Sequence, residues 1–352
     1  MSPRDSFSRR VTALIENPAD RRDADRDRLI EEIGAWQAAR VPAYARLERS
    51  GAWPPALPTD VFRFRRIAAH DETEDVRVFR SSGTTANERS THVFRDLQLY
   101  DAAAESAAKL MLFPDVERIA LIVLAPHERD APHSSLSYML TRFTEWFGSD
   151  ATFVWRDDRL DCHAFREAIE NAAMRDEPVA LLGTSFAFVH AEDGLGNTRV
   201  ALPKRSRIMQ TGGFKGRSRE VAPTELRQAM SVRYGVPDAW IVAEYGMTEL
   251  SSQMYETTLV DAVVGRISTR RLWVPPWVRA TPVDPDTLEP MESTRSGVLR
   301  IDDCANLDSV CCIQTADMAH REGDGIVVEG RAPGAIPRGC SLAVDLALGD
   351  GE

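Results

Sequence analysis

Between residues 96 and 243 the chain alternates segments of helical period with short apolar runs, and this alternation restricts the fold more than any other feature. Residues 96–112 read as an Ala-rich helix, 118–124 as a buried strand, and 134–147 as a helix capped by a serine. The pattern continues with a strand at 151–155, a helix at 162–174, strands at 178–182 and 207–210, a helix at 224–234 and a strand at 240–243. Strands separated by helices predict a mostly parallel α/β sheet, in which ligands sit beyond the carboxyl ends of the strands. Upstream, residues 8–50 are charge-rich, with Leu29, Ile30, Ile33 and Trp36 at helical spacing, and predict N-terminal helices closed off by Pro54, Pro55 and Pro58. Downstream, residues 267–328 predict short strands joined by turns at 282–286 and 323–325.

The 352 residues suffice for one large domain or two moderate ones with a sizeable core. No apolar run approaches the roughly 18 to 20 residues that cross a bilayer, and residues 1–32 are charged throughout with no apolar segment of a leader, so the expected location is the cytoplasm. A net charge of −11 argues against broad binding to nucleic acid or anionic membrane. Cys162, Cys304, Cys311, Cys312 and Cys340 are an odd set without C-x-x-C pairing or a histidine at ligand spacing, which disfavours both a disulfide framework and a structural zinc. Lysine occurs only at Lys109, Lys204 and Lys215, so each is worth examining wherever a phosphate has to be neutralised.

One stretch points to chemistry by itself. In Phe79-Arg80-Ser81-Ser82-Gly83-Thr84-Thr85 a run of small hydroxyl residues surrounds a glycine, so backbone amides and hydroxyls can both turn toward a polyphosphate. It carries neither the G-x-x-x-x-G-K-[ST] of the P-loop enzymes nor the G-x-G-x-x-G of dinucleotide folds, and alone it reads equally as a surface turn. Three further stations follow in order: Glu244-Tyr245-Gly246-Met247-Thr248-Glu249, Gln314-Thr315-Ala316-Asp317 and Gly330-Arg331.

In that order the four stations resemble those of the adenylate-forming enzymes, which activate a carboxylate with ATP. Pro132-His133-Ser134-Ser135-Leu136-Ser137-Tyr138, Thr211-Gly212-Gly213-Phe214-Lys215-Gly216 and Arg338-Gly339-Cys340-Ser341-Leu342 narrow the likeness to the short acyl-protein synthetase (LuxE-like) branch. The resemblance runs from about residue 79 to 342 and implies an adenylate-forming α/β domain, with a mostly parallel sheet and a β-rich C-terminal part. It implies a domain over 1–330 that includes the N-terminal helical segment 1–70, and a short tail over 331–352 in place of the usual full second domain. By the same resemblance Ser81, Ser82, Gly83, Thr84 and Thr85 hold the β- and γ-phosphates of ATP. Tyr245 then lies on the adenine face, Thr248 touches the α-phosphate, and Glu249 binds Mg²⁺. Asp317 takes the ribose hydroxyls, and Gly212, Gly213, Gly246 and Arg331 complete the expected nucleotide-binding set.

The remaining assignments stay open between two readings each. Tyr-Gly and a glutamate at a strand end are also an ordinary turn with a solvated acid, and Asp317, which follows Ala316 where the wider superfamily has Gly, also reads as an exposed turn residue. His133 either lines the acyl pocket and positions the carboxylate or belongs to the capping of the next helix. Lys215 either neutralises an α-phosphate or substrate carboxylate or is a solvated loop lysine. Cys340 is either the acyl-carrying nucleophile, swung to the adenylate on a short Gly-flanked tail, or a small buried hydrophobe. Two departures from the superfamily stand out. The catalytic lysine of its second domain has no counterpart after residue 331, and the phosphate loop continues as Ala86-Asn87-Glu88-Arg89-Ser90, leaving Arg89 as a partial substitute for a lysine.

The resemblance therefore implies an ATP-dependent ligase that converts a carboxylic acid, expected to be a long-chain fatty acid, to acyl-AMP and passes the acyl group to Cys340 for an acyl-CoA-reductase-like partner. Two alternatives are acyl transfer to coenzyme A or a carrier-protein thiol, and an inactive nucleotide-binding regulatory subunit.

Overall fold

The computed structural model describes residues 2–47, 54–81, 89–157, 159–212, 221–291, 295–332 and 338–348, the stretch 338–342 in its backbone only. The helices that position the site are α1 (Pro3–Glu16), α2 (Asp23–Ala38), α3 (Pro42–Leu47), α4 (Val61–Phe64), α5 (Gln98–Met111), α6 (Ser135–Trp146), α7 (Cys162–Arg175), α8 (Ser185–Leu195), α9 (Pro223–Tyr234) and α10 (Arg338–Leu348). The strands are β1 (Leu57–Pro58), β2 (Arg77–Arg80), β3 (Thr91–Phe94), β4 (Ile119–Leu124), β5 (Gly148–Phe153), β6 (Val179–Thr184), β7 (Arg207–Thr211), β8 (Ile241–Tyr245), β9 (Val278–Val283), β10 (Gly297–Asp303), β11 (Cys312–Glu322) and β12 (Gly325–Arg331). They fall into two compact units, one of residues 1–106, 247–254 and 271–352, the other of residues 107–246 and 255–270.

The second unit is the alternating part of the sequence. Its strands lie in the order β5-β4-β6-β7-β8, all parallel, with Leu181 of β6 level with Ile122 of β4 and Ile208 of β7, which is level in turn with Ile241 of β8. Parallel strands covered on both faces must be apolar throughout, as Ile119–Leu124 and the first four residues of β6 are. Over one face pack Phe165 and Ile169 of α7, Phe188 and Ala191 of α8, and Leu226, Met230 and Tyr234 of α9, in one cluster with Leu181, Ile208 and Ile241. Each of these large side chains contributes about 1.5 to 3 kcal/mol by leaving water. The one charge at the foot of β7, Arg207, is fully buried but bound to Asp115 at 2.6 Å and to the Leu112 carbonyl at 3.0 Å. Its guanidinium also lies 5.2 Å from the Trp240 ring centre.

In the first unit β9-β10-β11-β12 form an antiparallel sheet, and β1 adds to it parallel to β11 through Leu57 opposite Ile313. The helices α1 and α2 bury Val11 and Leu14 together with the expected Leu29, Ile30 and Ile33, while Trp36 is only half-buried, and α1 begins with a capping box between Ser2 and Asp5. Gln37 of α2, fully buried, donates to the Asn306 and Leu307 carbonyls and accepts from the Cys311 amide at 2.8 Å.

Residues 338–348 correct the expectation of a swinging tail. They form α10, which packs on α3, α4 and β1, and its last turn is capped by Arg46, whose Nη1 donates to the Ala347 carbonyl at 2.8 Å. No described helix is long and apolar enough to cross a membrane.

Candidate active site

The candidate phosphate loop is the connection of a two-stranded hairpin in the first unit. Strands β2 and β3 pair antiparallel, with Arg80 opposite Thr91, and one step further the Ser81 amide donates to the Ser90 carbonyl at 3.0 Å. The Ser90 amide donates back to Ser81 Oγ at 2.9 Å. Ser81 therefore pins the mouth of the loop, while Ser82, Gly83, Thr84 and Thr85 lie outside the described residues.

The segment 247–254 of the same unit carries Thr248 and Glu249, and buried polar side chains hold it by its backbone. His92 of β3, fully buried, lies with Nδ1 2.7 Å from the Thr248 carbonyl oxygen and Nε2 3.0 Å from Ser309 Oγ. Burial lowers its pKa to about 4, against the bond to Thr248 and the nearby Asp308 carboxylate, so the ring is neutral at pH 7. A carbonyl only accepts, so the ring hydrogen is on Nδ1 and Nε2 accepts from Ser309. Asn306 Nδ2 donates to the Glu249 carbonyl and to the Val310 carbonyl, both at 2.9 Å, and its Oδ1 takes the Ser251 hydroxyl at 3.2 Å. Asp303 accepts from the Ser251 amide at 3.0 Å, Ser252 Oγ at 2.7 Å and the Ala305 amide at 3.0 Å. Burial nevertheless pushes its pKa up to about 6. Glu249 is itself buried, which argues against a solvated turn acid.

Asp317 lies within β11, not in a turn, and its register partner on β12 is Arg331. Their side chains stand 3.7 Å apart, Nε to Oδ1, with Arg331 largely exposed. The Asp317 amide donates to Thr315 Oγ1 at 3.1 Å, and that hydroxyl donates to the Leu299 carbonyl at 2.7 Å. Just before Arg331 the ladder shifts by a bulge, and Gly330 takes φ of +118°, a conformation that glycine alone adopts readily. Cys340 is the third residue of α10. Cys304, Cys311 and Cys312 are fully buried, and burial pushes the thiols of Cys304 and Cys311 well up, so they behave as small hydrophobes.

In the second unit the expected residues gather at the carboxyl edge of the parallel sheet. Thr211 ends β7 level with Glu244 near the end of β8, so Gly212 and the pair Tyr245-Gly246 leave adjacent strands at one edge. Gly212 is exposed with φ of +67°, and a Cβ there would meet nothing within 4 Å. Gly213 and Lys215 lie outside the described residues. His133, exposed, sits in the connection from β4 to α6, directly before Ser134, whose hydroxyl caps the helix by accepting from the Ser137 amide at 3.1 Å. Glu244 was not anticipated. It is buried, the Thr211 hydroxyl donates to its carboxylate, and burial pushes its pKa up to about 7.

The first unit thus carries the loop mouth at Ser81, the Thr248-Glu249 turn that His92 ties to the same hairpin, and the Asp317-Arg331 pair, and the second gathers Gly212, Tyr245, Gly246 and His133 at one sheet edge. Sequence reasoning missed His92, Asn306, Asp303 and Glu244, because each acts through contacts with residues far along the chain. Among the described residues no group of three or more His, Cys, Asp or Glu side chains is placed to hold a metal. The single carboxylate of this turn, Glu249, has the oxygen-donor chemistry of a magnesium site in which phosphate and water supply most of the ligands.

At 22% identity over 312 residues, 84% of this chain and 78% of the relative, the chain is similar to the long-chain-fatty-acid--luciferin-component ligase of Vibrio harveyi. Among solved structures it is similar to 2-hydroxyisobutyryl-CoA ligase in the postadenylation state with R3-HIB-AMP, at a TM-score of 0.62 and 13% identity over 94% of this chain and 72% of that one. It is also similar to ATP-bound MatB from Rhodopseudomonas palustris, at a TM-score of 0.50 and 12% identity over 75% of this chain and 49% of that one. The fold is that of the adenylate-forming enzymes. The model of the family described as "Acyl-protein synthetase, LuxE" matches residues 51–348, which span the hairpin, both units' site residues and α10; the chain belongs to that family and is a ligase.

Proposed function

We propose that this chain activates a carboxylic acid with ATP and carries the acyl group on Cys340. A carboxylate oxygen attacks the α-phosphorus of ATP; the bond to the bridging oxygen breaks, and acyl-AMP and pyrophosphate form. The Cys340 thiolate then attacks the acyl carbonyl, AMP leaves, and a thioester remains. The name of the Vibrio harveyi relative favours a long-chain fatty acid as the substrate, and in this reading a reductase-type protein accepts the chain.

In this reading residues 1–330 form the catalytic domain and the segment 331–352 carries the acyl-carrier cysteine. The hairpin loop, from Ser81 through Thr85, embraces the β- and γ-phosphates, and Arg89 adds a positive charge at its exit. Tyr245, Gly246, Gly212 and Gly213 flank adenine, Thr248 reaches the α-phosphate, and Asp317 with Arg331 holds the ribose. Lys215 and His133 guide the carboxylate. Glu249 would hold Mg²⁺, which when bound offsets the charge of the two anions that must meet. The first turn of a helix favours a thiolate through its unpaired amides, and Cys340 occupies the third position of α10.

The observation that supports the reading most is the hairpin itself: Ser81 and Ser90 close a hydroxyl-rich loop in the unit that also fixes Thr248 and Glu249 by their backbone. Intact-mass analysis after incubation with Mg-ATP and a panel of carboxylic acids tests it. One acid is expected to add its own mass, less one water, to the protein as a hydroxylamine-sensitive adduct. A protein that gains no adduct from any acid contradicts the carrier role.

A further inference from the structure

Two successive carbonyls of the Thr248-Glu249 turn are held by side chains from elsewhere in the first unit, the first by His92 and the second by Asn306. Peptide groups are planar, so fixing the carbonyls on either side of one Cα fixes that residue's φ and ψ, and with them the direction of its Cα–Cβ bond. That residue is Glu249. His92 is in turn fixed by the hairpin: it stands opposite Phe79 in the β2–β3 ladder, its ring centre is 4.2 Å from that of Phe94, and Ser309 Oγ occupies its other nitrogen at 3.0 Å. The same two strands carry the Ser81–Ser90 closure at their open end.

We propose that His92 is a positioning residue for ATP binding, which sets the Thr248-Glu249 turn in register with the β2–β3 hairpin and its Ser81–Ser90 closure through the bond from its Nδ1–H to the Thr248 carbonyl. This rests on the roles proposed above for Thr248 and Glu249. His92 is wholly buried and has no surface to offer a ligand, so its effect reaches the nucleotide only through the backbone it holds. Asn306 completes the device at the next carbonyl. Burying two polar side chains to grip one turn is costly unless their hydrogen bonds are made, and here each ring nitrogen of His92 and the amide group of Asn306 has a partner.

The test compares His92→Asn with His92→Gln by acid-driven ATP–pyrophosphate exchange. The asparagine amide falls near the site of Nδ1 and can still donate to the Thr248 carbonyl; the glutamine amide reaches toward the site of Nε2 and Ser309. Both variants lose the ring's packing on Phe94 and Phe62, so a role in packing alone affects them alike. In His92→Gln the KM for Mg-ATP is expected to rise about tenfold with kcat little changed, since a misdirected Thr248 and Glu249 weaken ground-state and transition-state contacts together. In His92→Asn it is expected to stay within about twofold to threefold of wild type, the spread ordinary for a surviving contact. Hydrogen exchange of the peptide covering 247–254 should accelerate in His92→Gln and not in His92→Asn. If either variant is recovered unfolded, Asn306→Ser gives the same reading, a raised KM at nearly constant kcat. Equal KM values for the two histidine variants, or an unchanged KM in Asn306→Ser, overturn the inference while adenylation stands. A wild-type protein that shows no exchange with any acid overturns the adenylation reading and this inference with it.

Discussion

Replacing Glu244 by glutamine should make the protein's stability less dependent on pH, and the structure sets the size of the change. Glu244 is buried beside Thr211: burial raises its pKa from 4.5 to about 7, and the Thr211 hydroxyl opposes this only in part. In the unfolded chain the same carboxyl ionises near 4.5. A group whose folded pKa is raised stabilises fully below the unfolded value and loses that stabilisation as pH rises through the folded one. The window is therefore about pH 4.5 to 7. At about 1.4 kcal/mol per unit, a difference of about 2.5 units costs the wild type roughly 3 kcal/mol across it. Glutamine keeps an acceptor for Thr211 and does not titrate, and every other ionising group is common to both proteins and cancels in the difference. With about 2.1 cal/mol/K per residue of unfolding entropy over the whole chain, and roughly 2.5 kcal/mol of the effect falling between pH 5 and pH 8, the melting temperature of Glu244→Gln relative to wild type should climb by about 3 to 4 °C over that range. Thermal unfolding of both proteins across that range measures it. A constant difference in melting temperature, or one that shifts toward the wild type as pH rises, refutes a neutral buried Glu244.

Asp317→Ala should weaken ATP binding by about tenfold or more while leaving fatty acid binding nearly unchanged, because hydrogen bonds from ribose hydroxyls to a carboxylate are worth roughly 1.5 to 3 kcal/mol each; equal losses for both ligands in calorimetric titrations remove Asp317 from the nucleotide site. Cys340→Ser should abolish the hydroxylamine-sensitive adduct yet leave acid-driven ATP–pyrophosphate exchange within a few-fold of wild type, since a serine hydroxyl is hardly ionised at neutral pH. An adduct that persists in this variant moves the carrier role to another thiol.

The parallel half of the fold was legible because its strands are buried on both faces and must be apolar from end to end, as in Ile119–Leu124, while intervening helices keep a separate period. The helix Ser185–Leu195 was not, since no turn residue separates it from the strand before it: Thr184 ends β6 and also caps α8 by accepting from the Ala187 amide at 3.0 Å. Gly339 read as a mark of a loose tail, whereas Pro337, just before the first helical residue, is also a helix-start signal, and packing of Ala343 and Ala347 accompanies the helix. The motif stations were readable as strings because each lies on one hairpin, turn or ladder. Their supports were not: His92 meets Thr248 across 156 positions of sequence and Asn306 meets Glu249 across 57, and no periodicity connects residues at such separations. Glu244 opens a recognised station, but only the depth of β8 and the position of Thr211 opposite it make it a buried acid.

The central claim is that this chain forms an acyl-adenylate, and ATP–pyrophosphate exchange measured with and without each of a set of carboxylic acids tests it most directly. The account predicts exchange that requires both Mg²⁺ and a particular acid, strongest with a long-chain fatty acid, and that survives in Cys340→Ser. Exchange absent with every acid offered, from a folded protein that binds ATP, contradicts it.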